Sequence, residues 1–276
     1  MRAVTLLFHD VVPSSRWELS GFEGADADVY KLDCGAFRRH LMAISQSLHG
    51  RPTTSDELFA QPRGDRPFLL TFDDGGVSAL LYAADILDEF GWKAHFLVTA
   101  GRIGTRGFLD RGQIQELRRR GHVIGSHSFS HPPRMAHCSP AQLDDEWQRS
   151  AQLLGDILSE PIEVASVPGG YYSRAVARAA ARAGIKLLFN SEPVTGSQVV
   201  DHCLILGRFS AQRGTPPEWS AAIVAGRWQP RTRAYLFWNA KKVAKALGGT
   251  MWLRARVRLL EHRAQAPPPR SGGDSG

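Results

Sequence analysis

The stretch that decides the fold is FLLTFDDGG, residues 68–76, in which a short apolar strand runs into two acids and two glycines. A helical pattern follows over Leu80–Phe90, and Gly91 stands at the position where a left-handed residue commonly ends a helix. A second apolar strand is predicted at Ala94–Val98. Strand, helix and strand in this order predict two parallel strands joined by a crossover helix.

The same alternation continues along the chain in both directions. Upstream, an apolar strand is predicted at Val4–Phe8, followed by apolar residues at helical spacing between Phe37 and Leu48. Downstream, the N-capping residues Asp110, Ser139 and Ser173 each open a predicted helix. Repeated units of this kind predict an α/β fold of six or seven parallel strands, as either an open doubly wound sheet or a barrel. The remaining predicted strands are residues 123–125, 164–167, 186–190 and 204–209.

Length and composition are those of an ordinary folded protein, which excludes a disordered or fibrous chain. The 276 residues are 43% hydrophobic and 22% charged, values that suit one large domain. No apolar run approaches the ~18 residues of a membrane-spanning helix. His9 and Asp10 interrupt the N-terminal apolar run too early for a signal peptide, so we expect a cytoplasmic protein. The cysteines are scattered and predict neither a disulfide framework nor a thiolate zinc site: Cys34, Cys138 and Cys203.

The net charge of +7 is concentrated in the last quarter of the chain. Residues 208–276 hold 13 Lys and Arg against three acids, whereas residues 1–207 carry a net charge of −3. No helix-turn-helix, zinc-finger or RNA-recognition signature accompanies the basic segment. We therefore predict no nucleic-acid partner.

Three segments that follow predicted strands carry side chains suited to chemistry, at the ends where parallel α/β folds place active sites. Asp73 and Asp74 can face one pocket only if the strand bends, which the following glycines permit. His127 and His131 have a spacing that brings both imidazoles to one face of a helical turn. Taken singly, an Asp-Gly turn and two surface histidines are the simpler interpretations of these residues. Together, one Asp and two His form a set that binds a divalent metal with positions left open.

The three motifs in this order resemble a known family. TFDDG at residues 71–75, HSxxH at 127–131 and PGGxY at 168–172, on a chain of βα repeats, are similar to the polysaccharide deacetylases of carbohydrate esterase family 4, which share the NodB homology domain. The resemblance runs from about Val4 to about Phe209. It implies a distorted (β/α) barrel, one divalent metal ion, most often zinc, and hydrolysis of an N-acetyl or O-acetyl group on a sugar.

The resemblance also implies roles for individual residues. Asp73 would be the general base, and Asp74, His127 and His131 would bind the metal. A backbone N–H of Tyr171 or a neighbour would stabilise the oxyanion. The third motif would form the substrate-binding wall, made of Pro168, Gly169, Gly170, Tyr171 and Tyr172.

Two departures from the family pattern concern the acid and the base. Ser166 stands where the family has an arginine that orients the base, and Arg174 or Arg208 are the candidate substitutes. The C-terminal Leu-x-His that supplies the general acid is missing. The N-terminal stretch LFHDV, with His9, resembles the strand-end His-Asp of the permuted biofilm poly-N-acetylglucosamine deacetylases, which implies that His9 is the general acid. A strand-end histidine packed under the loop of residues 14–30 is the alternative.

We therefore expect a metal-dependent N-deacetylase acting on an exopolysaccharide, a cell-envelope glycan or a lipid-linked precursor. A degenerate carbohydrate-binding module with the same fold is the alternative function. The partner is an acetylated glycan, and no obligate protein partner is indicated. Residues 1–210 would form the catalytic barrel and residues 267–276 a disordered tail. Residues 211–266 would form a basic, Trp-containing helical extension, packed on the barrel through an apolar stripe that includes Leu236 and Phe237. Contact at the inner membrane surface is the minority interpretation.

Overall fold

A computed structural model describes residues 1–48, 50–60 and 66–240, and a curled sheet of nine strands is its central element. The strand order is β11-β1-β4-β5-β6-β7-β8-β10-β9. All neighbours are parallel except β9 and β10, and a separate two-stranded sheet pairs β2 with β3. The strands are β1 Val4–Phe8, β2 Val11–Val12, β3 Leu32–Asp33, β4 Phe68–Phe72, β5 His95–Val98, β6 Val123–Ser126, β7 Val164–Ser166, β8 Leu187–Phe189, β9 Gln198–Val200, β10 Cys203–Leu206 and β11 Phe209–Ser210.

The two sides of the curled sheet meet through one segment of chain. In residues 203–210, β10 pairs with β8 while β11 pairs with β1, and only Gly207 and Arg208 lie between the two strands. The α/β class and the parallel, curled arrangement are as expected, but the sheet has nine strands rather than six or seven. The difference arises because the predicted strand at 204–209 is broken in two and an antiparallel strand is added beside it.

Helices cover the outer face of the sheet. The N-capping residues Asp110, Ser139 and Ser173 each accept a hydrogen bond from the backbone N–H three residues on, as predicted. The helices are α1 Ala25–Asp28, α2 Cys34–Ser47, α3 Ser55–Ala60, α4 Ala84–Glu89, α5 Arg111–Arg119, α6 Pro140–Leu158, α7 Arg174–Arg182 and α8 Pro217–Val224, and residues 228–240 are also helical.

Alternation along β4 divides its side chains between two apolar clusters. Phe72 packs outward, with its ring 5.6 Å from the ring of Phe8 and 4.9 Å from that of Phe96, in the cluster that includes the helices. Leu69 belongs to a smaller cluster contributed almost entirely by strands. The period of two then turns Thr71 and Asp73 toward the inside of the curl. The sequence pattern of β4 thereby decides where the first acid points.

The C-terminal extension is described only as far as residue 240. Helix α8 packs against α2, where His40 Nδ1 lies 2.8 Å from Ser220 Oγ. The expectation that Leu236 and Phe237 face the barrel is wrong, because these side chains are 62% and 63% exposed. The helix is rotated so that Trp238 packs inward instead. The predicted tail and the remainder of the extension, residues 241–276, lie outside the described residues. Among those that are described, no helix is both long and apolar enough to cross a bilayer.

Candidate active site

The two acids of the first motif reach the same place by different backbone conformations. Asp73 follows β4 with its side chain inside the curl and is 5% exposed. Asp74 has a φ of +75°, and Gly75 has a φ of +79°. The predicted bend therefore falls on Asp74 itself as well as on the glycine after it. A left-handed non-glycine residue is strained, and such strain is common at functional sites.

The two histidines of the second motif also converge, but not on a helical turn. Residues 127–131 form an irregular bend after β6, so the predicted helical geometry is wrong. Ser128 and His131 adopt left-handed conformations, with φ values of +64° and +60°. The Ser128 hydroxyl accepts a hydrogen bond from the His131 N–H at 3.1 Å, which fixes the bend. The imidazole rings of His127 and His131 lie 5.1 Å apart.

Asp74, His127 and His131 form a group that fits a divalent metal. Their ligand atoms all lie within 4.8 Å of one another. Asp74 Oδ1 is 3.4 Å from His127 Nε2 and 3.5 Å from His131 Nε2. Ligands that are each about 2.0–2.1 Å from a tetrahedral ion stand roughly 3.3–3.4 Å apart, so the spacing matches a zinc-type site. One carboxylate and two imidazoles are also the donor set expected for an ion that keeps open positions.

Ser166 links His127 to Asp73. Its hydroxyl donates a hydrogen bond to Asp73 Oδ1 at 2.8 Å and lies 2.6 Å from His127 Nδ1. A hydroxyl has one proton, and that of Ser166 is donated to Asp73, so the proton shared with His127 must come from Nδ1 of the imidazole. The Nε2 atom of His127 then carries a lone pair. Hydrogen bonds of this kind fix the tautomer of metal-binding histidines. From the sequence, Ser166 indicated only that an arginine is missing, and its contact with both His127 and Asp73 was not predicted.

Arg208 supplies the charge that the third motif lacks. Its Nη1 and Nη2 donate to Oδ1 and Oδ2 of Asp73, both at 2.7 Å, in a bidentate pair. The guanidinium is fully buried, and its Nε donates to the Asn190 carbonyl at 2.9 Å. Of the two candidate substitutes, Arg208 is therefore the one that contacts Asp73, whereas Arg174 is exposed at the first residue of α7.

The protonation states follow from these contacts. Burial alone raises the pKa of Asp73, but the charge of Arg208 and its hydrogen bonds outweigh that effect and hold the pKa below its ordinary value. Burial likewise raises the pKa of Asp74, and its close contact with His127 together with the nearby His9 and His131 lowers that pKa overall. Burial and the charge of His127 lower the pKa of His131 to about 4. The site thus combines two carboxylates with a neutral imidazole at neutral pH.

His9 lies near both acids, and Asp10 points elsewhere. A positive charge on His9 lowers the pKa of Asp73 and of Asp74, which places its ring within electrostatic range of both. Its ring stacks at 4.7 Å on Tyr30, and within the described residues its buried Nδ1 has no hydrogen-bond partner. Asp10 instead accepts hydrogen bonds from Ser20 and Ser78, at 2.6 and 2.8 Å. Asp10 therefore anchors the following loop rather than orienting His9.

That loop, residues 14–30, forms one wall of the site and is called the entry loop below. The ring of Phe22 lies 4.8 Å from the ring of His131 and 5.0 Å from that of Phe108. Its other end brings Tyr30 against His9. The buried Ser20 hydroxyl also accepts from the Ser78 N–H at 2.8 Å, which ties the middle of the loop to the segment behind Asp74. The entry loop is thereby held against both the metal group and His9.

The third motif forms the opposite wall and meets the C-terminal helix. Pro168–Gly170 is a single 3-10 turn in which both glycines have positive φ values, +60° and +70°. A Cβ on Gly170 would stand 2.8 Å from the Trp238 ring, so glycine is required there by contact as well as by conformation. The Tyr171 N–H makes a long hydrogen bond of 3.4 Å to the Pro168 carbonyl. The Tyr172 hydroxyl is buried and has no partner within the described residues.

Comparison with known sequences points to one family. The family model for polysaccharide deacetylase matches residues 60–188. Two proteins of Bacillus subtilis (strain 168) that are named for the same family are similar to the chain. YxkH is 28% identical over 130 residues, covering 47% of this chain and 46% of YxkH. YheN is 26% identical over 110 residues, covering 40% of this chain and 38% of YheN. The chain thus matches less than half the length of these relatives.

Solved structures share the fold over a longer stretch. The structure of IcaB from Ammonifex degensii is similar with a TM-score of 0.66 at 21% identity, covering 81% of this chain and 97% of that one. The Streptococcus pyogenes deacetylase PplD in complex with acetate gives a TM-score of 0.65 at 20% identity, covering 79% and 96%. At these identities the likeness is one of fold.

Proposed function

We propose that this chain, which belongs to the polysaccharide deacetylase family, is a metal-dependent hydrolase that removes N-acetyl groups from a polysaccharide or oligosaccharide. The observation that carries the proposal is a single arrangement. Asp74, His127 and His131 converge beside the buried carboxylate of Asp73, and Arg208 binds that carboxylate with its guanidinium. An acetamide is a poor electrophile with a poor leaving group, so its hydrolysis needs electrophilic activation, a base and an acid.

Asp74, His127 and His131 would hold the ion, for which the donor set favours zinc. When bound, such an ion polarises the acetyl carbonyl and makes water more acidic. His127 is suited to this role because Ser166 engages its Nδ1 and leaves Nε2 free of protein hydrogen-bond donors. His131 is suited because its low pKa keeps the imidazole neutral.

Asp73 would accept the proton of the attacking water. Its Oδ1 already accepts hydrogen bonds from Ser166 and from Arg208, whereas its Oδ2 accepts one, from Arg208 Nη2. Oδ2 therefore has the spare lone pair and is the atom at which the proton would be taken up. The bidentate contact orients the carboxylate plane, so the base is positioned before the substrate arrives.

His9 would deliver the proton to the leaving nitrogen. His9 directly follows β1, and Asp73 directly follows the neighbouring parallel strand β4. Both side chains therefore lie at the same edge of the sheet. Histidine suits this step because its ordinary pKa is close to neutral. The contact with Tyr30 limits the orientations of the ring.

The walls of the site would hold the sugar. Phe22 of the entry loop and the tyrosines of the third motif offer apolar faces for a pyranose ring, and the bare backbone at Gly169 and Gly170 permits close approach. A backbone N–H in this turn, that of Tyr171 or a neighbour, would stabilise the oxyanion. The weak hydrogen bond of the Tyr171 N–H to Pro168 is readily exchanged for such a contact.

The alternative of a binding module without catalysis rests on the loss of the family's arginine at position 166. Arg208 weakens that alternative, because a buried guanidinium in bidentate contact with Asp73 supplies the same charge from a different strand end. We therefore favour the enzyme.

The deciding experiment pairs metal content with acetate release from a panel of N-acetylated glycans. The protein purified without chelator should contain about one equivalent of zinc, and chelation should abolish acetate release. Asp73→Asn should keep the metal and lose activity by ~10²-fold or more. His131→Ala should lose the metal itself, and the exposed His137→Ala is the matched control. A wild-type protein that stays metal-free when zinc is supplied would refute the proposal.

A further inference from the structure

Three arginines converge on a small cavity at the end of the sheet opposite the active site. The cavity has a volume of about 200 Å³, and its lining includes Arg2, Arg66 and Arg231 together with Thr195 and Gly226. Arg2 precedes β1, and Arg66 precedes β4. Because these strands are parallel and Asp73 follows the far end of β4, the cavity lies about 15 Å or more from the acids along five strand residues.

The backbone at Gly226 brings two of the guanidinium groups together. Gly226 has a φ of +85°, and a Cβ built on it would stand 3.5 Å from Arg66 Nη1 and 3.9 Å from Arg231 Nη2. Two like charges are thus held on either side of one bare turn. Arg231 is fixed there because its Nε and Nη2 donate to the Ile223 carbonyl of α8, at 3.1 and 2.7 Å. Its position therefore does not depend on a carboxylate.

The charges of these arginines are not compensated within the described part of the chain. No carboxylate of residues 1–48, 50–60 or 66–240 forms an ion pair with Arg2, Arg66 or Arg231. Burial lowers the pKa of Arg231, and the charge of Arg66 lowers it further, which is the sign of repulsion between the two groups. An anion between them would replace that repulsion with two charge-assisted contacts.

We propose that this cavity is a binding site for a phosphate-type oxyanion, separate from the deacetylase site. Guanidinium groups present paired N–H donors that match the oxygens of a phosphate, and Thr195 also lines the cavity. The volume admits one such group. The ligand is either free phosphate or the phosphate of a lipid headgroup, and these two sources share the same recognition chemistry.

Isothermal titration calorimetry with inorganic phosphate tests the site on the full chain at constant ionic strength. We expect saturable binding that weakens by about tenfold or more in Arg66→Ala, because a hydrogen bond to a charged group is lost. Arg233→Ala is the matched control, since this exposed arginine lies on the same helical segment and does not line the cavity. Acetate release should be unchanged in both variants.

A second arm distinguishes the sources. Phosphatidylcholine vesicles with and without phosphatidic acid are sedimented with the wild type and with Arg66→Ala. Sedimentation that needs both phosphatidic acid and Arg66 assigns the site to a lipid headgroup. Binding of inorganic phosphate with no such sedimentation assigns the site to a free anion. The proposal would be overturned if phosphate bound equally to Arg66→Ala and Arg233→Ala, or if phosphate failed to bind below about 10 mM and sedimentation did not depend on Arg66. Preserved thermal unfolding of Arg66→Ala shows that the variant is folded in either case.

Discussion

The guanidinium of Arg208 holds both carboxylate oxygens of Asp73 at 2.7 Å, across 135 residues of sequence and inside the curl of the sheet. Charge-assisted bidentate pairs of this kind define an orientation as well as a charge. Arg208 lies between β10 and β11, and this contact brings its side chain to the end of β4. The position of the Asp73 carboxylate therefore depends on how the curl is completed.

Replacing Arg208 with Ala is expected to lower acetate release by ~10²-fold while metal content is kept, because the base loses its orientation. The buried carboxylate is then unpaired, which costs about 3–5 kcal/mol in the free energy of unfolding. Urea unfolding and zinc content of the variant separate these effects. Arg174→Ala is the control and should match the wild type. Adding Ser166→Arg to Arg208→Ala should recover part of the activity, and an Arg208→Ala variant as active as the wild type would contradict the assigned role.

Replacing Ser166 with Ala removes the hydroxyl between His127 and Asp73. We expect zinc affinity to fall by about tenfold, since the imidazole tautomer is no longer fixed from behind. Competition with a chromogenic chelator measures this affinity. Ser150→Ala is a useful control, because this buried hydroxyl bonds to Ser126 on the same strand layer and does not touch a ligand. Equal zinc affinities in wild type and Ser166→Ala would show that the hydroxyl does not set the tautomer.

His9→Ala should separate two classes of substrate. If His9 protonates the leaving nitrogen, acetamide hydrolysis slows by ~10²-fold or more, whereas an activated acetate ester slows much less because its leaving group needs little protonation. Acetate release from both substrates is compared at equal metal loading. Equal losses on the two substrates would argue against an acid role for His9.

Stability should fall as the pH is lowered from 7 toward 4, because of two histidines outside the site. Burial lowers the pKa of His95 to about 4, and burial with the charge of Lys93 does the same for His122. Between pH 4 and about 6.5 these two histidines bind protons in the unfolded chain but not in the folded chain. Each histidine therefore lowers the free energy of unfolding by up to about 1.4 kcal/mol for every pH unit by which the pH falls. Urea unfolding at several pH values measures this slope.

His95→Gln should flatten that slope, and the exposed His137→Gln should not. Glutamine keeps the chemistry of both contacts, since the ring of His95 accepts from the Ser55 N–H and bonds to the Leu70 carbonyl. The comparison of slopes rather than of absolute stabilities removes any general packing cost. Identical slopes in His95→Gln and in the wild type would contradict the assignment.

The sequence predicted most of what depends on local patterns. The alternation of β4 placed Asp73, and the capping residues placed the starts of the helices. The parts that depend on rare backbone conformations were not predicted. The left-handed φ of His131 replaced the expected helical turn with a bend that achieves the same convergence. Hydropathy alone gave no reason for a helix rotation that exposes Leu236 and turns Trp238 inward.

The sequence also did not predict which residues distant along the chain form contacts. The sequence offered Arg174 and Arg208 as substitutes for the missing charge, and nothing local distinguished them. Arg208 reaches Asp73 because the strand is broken between β10 and β11, and this break directs the Arg208 side chain into the curl of the sheet. A glycine immediately before an arginine within a predicted strand is the signal that could have indicated this break.

The break at Gly207 and Arg208 also has a consequence for synthesis of the chain on the ribosome. A Cβ on Gly207 would stand 2.3 Å from the Glu192 carbonyl oxygen, so the turn exists only in its final packed surroundings. The three proposed metal ligands lie within the first 131 residues, whereas Arg208, the buried partner of Asp73, is made 77 residues later. The carboxylate of Asp73 therefore acquires its partner only when almost every strand of the sheet has been synthesised.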